Sequence, residues 1–211
     1  MKKFLLLIMI SLMTMTVSAK SLRQLWIDMP DSIVPYLNKN LRTEFVDFVD
    51  MKVKADVKNL FDQNSRMDTL TNDYLKVTLN ESATLEMKLF SSSDGKDVLC
   101  LVKTFSAPEK ESELVFFDSS WNQLNTSDLF SGVQLDKLPG QLVQKPDTMS
   151  QERFEKLKIL IEPEMTWNEL NIGENSITFN LATPLMSNDD KKAVDAILVQ
   201  RKFKWNGKTF N

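Results

Sequence analysis

The chain has 211 residues, with 26 Lys and Arg residues against 29 Asp and Glu residues, one Cys and no His. The lack of His excludes a Ser-His-Asp or Cys-His catalytic site and a His-ligated metal site. A single Cys excludes an intrachain disulfide and a cluster held by several thiolates. Five scattered Gly residues leave no phosphate-binding loop, and the net charge of −3 argues against a nucleic-acid-binding protein. We therefore expect no cofactor, no metal and no nucleic-acid partner.

Residues 1–19 have the pattern of a secretory signal peptide. Lys2 and Lys3 form its positive start, and residues 4–15 form an apolar run. That run is long enough for export and short for a stable membrane span. Small or compact residues at positions −3 and −1 predict cleavage after Ala19. An uncleaved N-terminal anchor is the alternative, although no charged stop-transfer pattern follows to favour it.

Cleavage there would leave residues 20–211 and make the net charge more negative. It removes two of the 26 basic residues and no acid, so 24 basic residues remain against 29 acidic ones and the net charge becomes −5. About 190 residues suffice for one domain. Two subdomains, 20–125 and 126–211, remain an open alternative. We expect export to the periplasm or cell surface, with no membrane span after cleavage, because no later segment is apolar enough.

The first elements after the leader are predicted to be helical. Apolar residues spaced at i, i+3, i+4 and i+7 predict a helix over 21–29. A short turn that reaches Leu37 and a break at 38–40 follow. A second helix is predicted over 41–51, with Arg42 on its outer face.

The middle of the chain predicts an antiparallel β meander, because its short apolar runs have turn residues and no long helices between them. In the third run, apolar residues alternate with Thr84, Glu86 and Lys88, which predicts a strand with one buried and one wet face. Residues 98–102 are apolar on both faces, so their strand is expected at the centre of the sheet. The predicted strands cover 66–70, 74–79, 83–90, 98–105 and 113–118.

The last third predicts mixed structure after a loop-rich stretch at 121–145. The pattern favours a helix over 150–161 capped by Ser150 and a helix over 191–198 capped by Asn188 or Asp189. A strand at 177–181 and a terminal hairpin through Asn206-Gly207 complete it. The fold class is thus α+β, with N-terminal helices packed on the meander and a smaller mixed α/β C-terminal section.

Two nucleophile candidates have simpler structural explanations. Ser93-Asp94-Gly95-Lys96 has the spacing of a serine–lysine acylating site, but that chemistry needs the serine at a helix N-terminus. Here the four residues fall in a predicted hairpin tip, which favours a turn. Cys100 lies in the most apolar strand and has no His partner in the chain, which favours a buried, inert thiol.

The carboxylate pairs also lack a specific signature. Asp28 and Asp31 flank a Met-Pro step, and Asp47 and Asp50 share one helix face. We interpret Asp31 as a helix cap and the other pair as a solvated surface, since no calcium-loop pattern surrounds them. No catalytic residue is assigned.

Aromatic residues are the better functional candidates, because flat rings give large contact areas at low entropic cost. Core packing is the expected role of Trp26 and Trp121. Trp205, Trp167 and Tyr36 are the predicted ligand or partner contacts, and Trp205 is expected to be the most exposed.

Three segments resemble a family of uncharacterised exported proteins from Bacteroidales-type bacteria, classed as a domain of unknown function. The resemblance covers the whole mature chain and implies export and a common architecture, without any activity. At 62–64 the sequence Asp-Gln-Asn stands where a Gly-rich turn is expected. The resembling segments are Asp28-Met29-Pro30-Asp31-Ser32 with Pro35-Tyr36-Leu37, residues 82–89, and Trp205-Asn206-Gly207-Lys208.

The same resemblance implies possible O-glycosylation, because such bacteria modify Asp-(Ser/Thr)-apolar triplets in exported proteins. The acceptor positions would be Thr148, Thr69 and Ser32. Thr148 is the first expectation, since it lies in a predicted exposed loop, whereas helix capping also explains Ser32.

These features predict an exported cell-envelope protein that is a non-enzymatic binding or interaction module, with an envelope protein or a glycan as its partner. The alternative is a carboxylate-dependent hydrolase of glycans or peptides. That alternative requires two acids in one cleft, at least one with a raised pKa. A third class is a structural or regulatory partner of a larger envelope assembly.

Overall fold

The computed structural model describes residues 20–106, 108–162 and 164–211. The predicted signal peptide and its cleavage after Ala19 lie outside these residues. The described part is an α+β fold built from a seven-stranded antiparallel sheet, a three-stranded antiparallel sheet and short helices. No helix in these three ranges is both long enough and apolar enough to cross a bilayer.

Two helices open the fold, α1 (Leu22–Asp28) and α2 (Lys39–Asp50). The first confirms its prediction, and the Ser21 hydroxyl caps it by accepting a hydrogen bond from the Gln24 N–H at 3.2 Å. The second begins two residues earlier than predicted, because Asn38 is its N-cap and not a chain break.

Arg42 is buried, so its predicted place on the outer face of α2 was wrong. Its guanidinium donates to the carbonyl oxygens of Trp26, Met29 and Leu37 and pairs with Asp31 at 2.9 Å. The Asp31 carboxylate therefore neutralises this buried cation, a role different from the predicted helix cap. Five rigid donors allow one arginine to satisfy several carbonyls of the chain between the two helices.

The seven-stranded sheet confirms the predicted meander, with its strands side by side in chain order. The predicted bounds 83–90 and 98–105 match those of the fourth and fifth strands of the sheet. Two short edge strands, the first and the last, were not predicted. The strands are β1 (Asp56–Lys58), β2 (Asn64–Leu70), β3 (Tyr74–Asn80), β4 (Ala83–Phe90), β5 (Val98–Phe105), β6 (Glu111–Phe117) and β7 (Gln123–Leu124).

The C-terminal section contains short helices and a second, three-stranded antiparallel sheet whose middle strand in chain order is also the central strand of the sheet. Ser150 caps its longest helix as predicted, but Ser187, and neither Asn188 nor Asp189, caps the last one. The first strand of this sheet in chain order was not predicted. The elements are α3 (Thr126–Leu129), a 3₁₀ turn (Leu135–Lys137), α4 (Leu138–Gln141), α5 (Gln151–Ile159), β8 (Thr166–Leu170), β9 (Ser176–Leu181), α6 (Asn188–Asp195) and β10 (Arg201–Lys204).

The large sheet separates two hydrophobic cores. On one face, side chains such as Leu85 and Leu101 pack with Trp26 and Phe45 of the N-terminal helices. The other face packs against the C-terminal section through an aromatic cluster. Its aromatic members are Tyr74, Phe90, Phe116, Phe130, Phe179, Phe203, Trp205 and Phe210.

The predicted wet face of β4 is therefore wrong. Glu86 is 6% exposed and Lys88 is fully buried, because the C-terminal section covers the face on which they lie. The Lys88 ammonium reaches the half-exposed Asp73 carboxylate at 3.0 Å. This contact holds the pKa of Asp73 below its usual value, against the opposing effect of burial.

Candidate functional site

A polar cavity of about 190 Å³ lies between the large sheet and β8. The antiparallel register sets Lys76 of β3 opposite Glu86 of β4, and Thr84 of β4 opposite Thr104 of β5. These four side chains lie on the face covered by the C-terminal section. The complete lining consists of Lys76, Thr84, Glu86, Thr104, Ser106, Lys110, Trp167, Asn168 and Glu169.

Strand β8 is attached to the large sheet by hydrogen bonds at the cavity wall. The backbone N–H of Asn168 donates to the Ser112 hydroxyl at 3.2 Å. That hydroxyl also shares a hydrogen bond of 2.8 Å with the Thr104 hydroxyl. The wall is thus held by groups from β5, β6 and β8, which favours a preformed cavity.

Glu86 is the buried acid of this cavity. Burial raises its pKa, and the nearby Glu169 carboxylate adds to that effect. The Tyr74 hydroxyl donates a hydrogen bond to Glu86 Oε1, which lowers the pKa of Glu86, and the ammonium groups of Lys76 and Lys110 also lower it. Burial and the Glu86 charge raise the pKa of Tyr74, so its phenol keeps its proton and remains a donor.

Asn168, which also lines this cavity, carries an unsatisfied acceptor. Its side chain is 4% exposed, and no donor in the described ranges lies within hydrogen-bond distance of its Oδ1 atom. A buried polar atom without a partner costs about 1–3 kcal/mol. The amide nitrogen of Asn180 is also buried and unpartnered within the described ranges, but Asn180 does not line the cavity. Asn168 is therefore the cavity group that most clearly lacks a partner.

Trp167 forms the apolar wall of the cavity. It is half-buried, and the Lys110 ammonium lies 4.4 Å from the centroid of its ring. Such a cation–π contact orients both side chains at the rim. The predicted contact residue Trp167 thus lies beside Glu86 and Asn168, which the sequence did not single out.

Trp205 lies elsewhere, at the end of the sheet. It is 9% exposed, so the prediction that it would be the most exposed tryptophan was wrong. Its ring packs on Phe90 and Phe210, and its indole N–H donates to the Ser91 carbonyl oxygen at 2.7 Å. One side of Trp205 lines an open groove of about 670 Å³ together with the β4–β5 loop and Asp118.

The Ser93-Asp94-Gly95-Lys96 segment forms the tip of that loop, which confirms its interpretation as a turn. Gly95 has a φ angle of 76°, a value that glycine adopts without strain. The Asp94 carboxylate accepts a hydrogen bond from the Lys96 backbone N–H at 3.0 Å. Cys100 is fully buried as predicted, and burial raises the pKa of its thiol well above the usual value.

Tyr36 belongs to a third region, an exposed aromatic surface. Its ring lies 5.0 Å from that of Phe61, which is 59% exposed. The Lys103 ammonium lies 5.6 Å from the Tyr36 ring and 5.0 Å from the Phe105 ring. The structure therefore does not bring Trp205, Trp167 and Tyr36 together.

The other predicted positions are distributed over the surface. Of the three glycosylation candidates, Ser32 and Thr148 are exposed and Thr69 is half-buried in β2. In the described part of the chain, no group of three or more Cys, Asp and Glu side chains is arranged to hold a metal ion.

Comparison with known proteins gives a family and a fold. Residues 14–210 match the family described as protein of unknown function (DUF3256). The chain belongs to this family. No curated protein matches the chain.

A domain of an uncharacterised protein from Porphyromonas gingivalis W83 has a similar structure, with a TM-score of 0.71 at 16% sequence identity. The match covers 90% of this chain and 98% of that domain. At this identity the likeness concerns the fold.

Proposed function

We propose that this member of the DUF3256 family is an exported cell-envelope protein that binds a ligand in the cavity beside Trp167 without chemically changing it. One observation carries the binding function, namely the buried and unpartnered Oδ1 atom of Asn168 in a cavity with an aromatic wall. A ligand that donates a hydrogen bond to this atom would remove the cost of leaving it unsatisfied.

The export part of the proposal rests on the charged and apolar pattern of residues 1–19. Fractionation of the native host and the mass of the purified protein test it. We expect the protein in the periplasm or on the surface, with Lys20 at its N-terminus. A cytoplasmic protein that retains Met1 would contradict export.

The binding part is tested by native mass spectrometry of protein purified from its own envelope. We expect a bound small molecule on the wild-type protein and its loss in Asn168→Leu. The matched control is Asn180→Leu, which changes a second buried amide that does not line the cavity and should retain the bound mass. An unliganded wild-type protein, or equal occupancy in both variants, would count against binding in this cavity.

A specific observation also supports the alternative function, a carboxylate-dependent hydrolase of glycans or peptides. Glu86 and Glu169 line one cavity, and burial raises the pKa of Glu86, as a general acid requires. Activity screens with glycan and peptide panels test this function. Turnover should disappear in Glu86→Gln and Glu169→Gln and persist in Glu113→Gln, a control at an exposed position of β6. Absence of turnover on every panel would end this alternative.

Glycosylation at Thr148 is a further part of the envelope proposal, because this residue is exposed in an Asp-Thr-Met triplet. Intact-mass analysis of the native protein should show hexose-scale increments that decrease in Thr148→Val. Ser119→Ala, an exposed hydroxyl outside such a triplet, is the control. A native protein with only its polypeptide mass would exclude modification at Thr148, Thr69 and Ser32 together.

A further inference from the structure

We infer that the Asn168 cavity takes a neutral, polyhydroxylated ligand of single-ring size, that is, one sugar unit. The inference rests on the proposed binding function and names its ligand class. Four properties of the cavity support it: its charge balance, its hydroxyl and amide groups, its aromatic wall and its size.

With both carboxylates ionised, the charges of the cavity lining cancel. Lys76 and Lys110 supply two positive groups, and Glu86 and Glu169 supply two negative groups. A balanced lining gives no net attraction for a phosphate or for a polyamine, whereas sites for charged ligands carry an excess of the opposite sign. The balance therefore favours a ligand without net charge.

The uncharged polar groups match hydroxyls. Thr84 and Ser106 each offer a hydroxyl that donates and accepts, and Thr104 offers the capacity that its hydrogen bond with Ser112 leaves unused. The Asn168 Oδ1 atom needs a donor. A sugar hydroxyl both donates and accepts, so one ring with several hydroxyls can satisfy Asn168 and its neighbours at once. An apolar ligand would leave this acceptor buried and unpartnered.

The wall and the volume set the shape of the ligand. Trp167 supplies a flat aromatic ring beside the Lys110 ammonium, and such a ring suits the C–H groups of a sugar. The volume of about 190 Å³ lies below the range of about 300–1,000 Å³ that is common for larger ligands. The cavity therefore holds a monosaccharide or the terminal unit of a glycan, and not a long chain.

The test uses the recombinant chain 20–211 with its tryptophans replaced by 5-fluorotryptophan. The described chain contains Trp26, Trp121, Trp167 and Trp205, so ¹⁹F NMR gives one reporter for each, and the variant Trp167→Phe assigns the cavity signal. The probes are glucose, galactose, mannose and N-acetylglucosamine. We expect at least one to shift the Trp167 signal saturably while the signal of the core residue Trp26 stays unchanged.

Two variants separate binding from folding. Asn168→Leu should weaken the sugar by about tenfold or more, the effect of one lost buried hydrogen bond. Its melting temperature should not fall, because the change removes an unsatisfied polar atom. Asn180→Leu, the matched control, should bind the sugar as the wild type does.

Several results would overturn the inference. They are no sugar-dependent change of the Trp167 signal, a change confined to Trp205, or unaltered affinity in Asn168→Leu. Binding of a zwitterionic amino acid in place of every sugar would also overturn it, since that ligand would use the lysine and glutamate groups instead. Sugar binding by a protein that proves not to be exported would leave the site in place and remove only its envelope role.

Discussion

The two faces of the large sheet bury side chains of different chemistry. The face toward α1 and α2 is mainly apolar, as Leu75, Leu85 and Leu101 show. The opposite face is aromatic around Phe90 and Phe116 but polar where the Glu86 cavity lies. An apolar face gains stability simply by leaving water, whereas a polar face needs a partner for each buried group. A ligand on the polar half of the second face would therefore supply hydrogen-bond partners to buried groups.

The largest expected effect concerns the aromatic half of the second face. Phe210 is fully buried against Phe90, Phe130 and Trp205, so Phe210→Ala should lower the free energy of unfolding by about 3–5 kcal/mol. Urea denaturation measures it. The control Phe61→Ala, at an exposed ring, should change stability by less than about 0.5 kcal/mol. Equal effects in the two variants would contradict the assignment of Phe210 to the core.

A smaller effect is expected where a charge is buried on the same face. Asp73→Ala leaves the Lys88 ammonium buried without its carboxylate, which should cost about 3 kcal/mol. Adding Lys88→Met should restore stability to within about 1 kcal/mol of the wild type, because the buried cation is then gone. Urea denaturation of the single and double variants measures both changes.

The control for this pair is Asp62→Asn, which breaks the exposed ion pair between Asp62 and Lys58. Asn also tolerates the φ angle of 59° at this position, and exposed pairs contribute little, so no measurable change is expected. If Asp73→Ala behaved like Asp62→Asn, the Lys88 ammonium would have to reach water in solution.

The smallest expected effect is a pH dependence of protein stability that comes from Glu86. Because burial raises its pKa in the folded state above the ordinary value of 4.5, the folded protein holds this proton more tightly than the unfolded chain does. Stability from this group is therefore present below pH 4.5 and is lost as pH rises through the raised pKa. Glu86→Gln removes the dependence, so the wild type should be more stable relative to this variant at pH 4 than at pH 7.

Urea denaturation of both proteins at the two pH values tests this sign. Glu113→Gln, at an exposed position of β6, should show no such difference between pH 4 and pH 7. A relative stability of the wild type that increases with pH would mean that Glu86 is stabilised in its charged form by its lysine neighbours.

The strands of the large sheet could be predicted because their signal is local. Alternation in β4 and the continuous apolar run of β5 gave their bounds, and short turns gave the antiparallel order. Strand β8 escaped prediction because one of its buried positions is Asn168, so its sequence does not alternate between apolar and polar residues. Asn168 thus interrupts the hydrophobic pattern of β8, and the same residue carries the unpartnered acceptor in the lining of the cavity.

The amino-acid sequence by itself determined the five central strands of the meander, the Ser150 cap of α5 and the buried environment of Cys100. These depend on residue type and on short-range spacing. Only the tertiary structure decided that Glu86 and Lys88 are buried and that Trp167, Asn168 and Glu86 share a cavity. Alternation shows which side chains share a face of a strand, but the segment that covers that face lies about 80 residues further along the chain. Contacts over that separation arise from packing, and packing placed a polar cavity where the strand pattern alone predicted water.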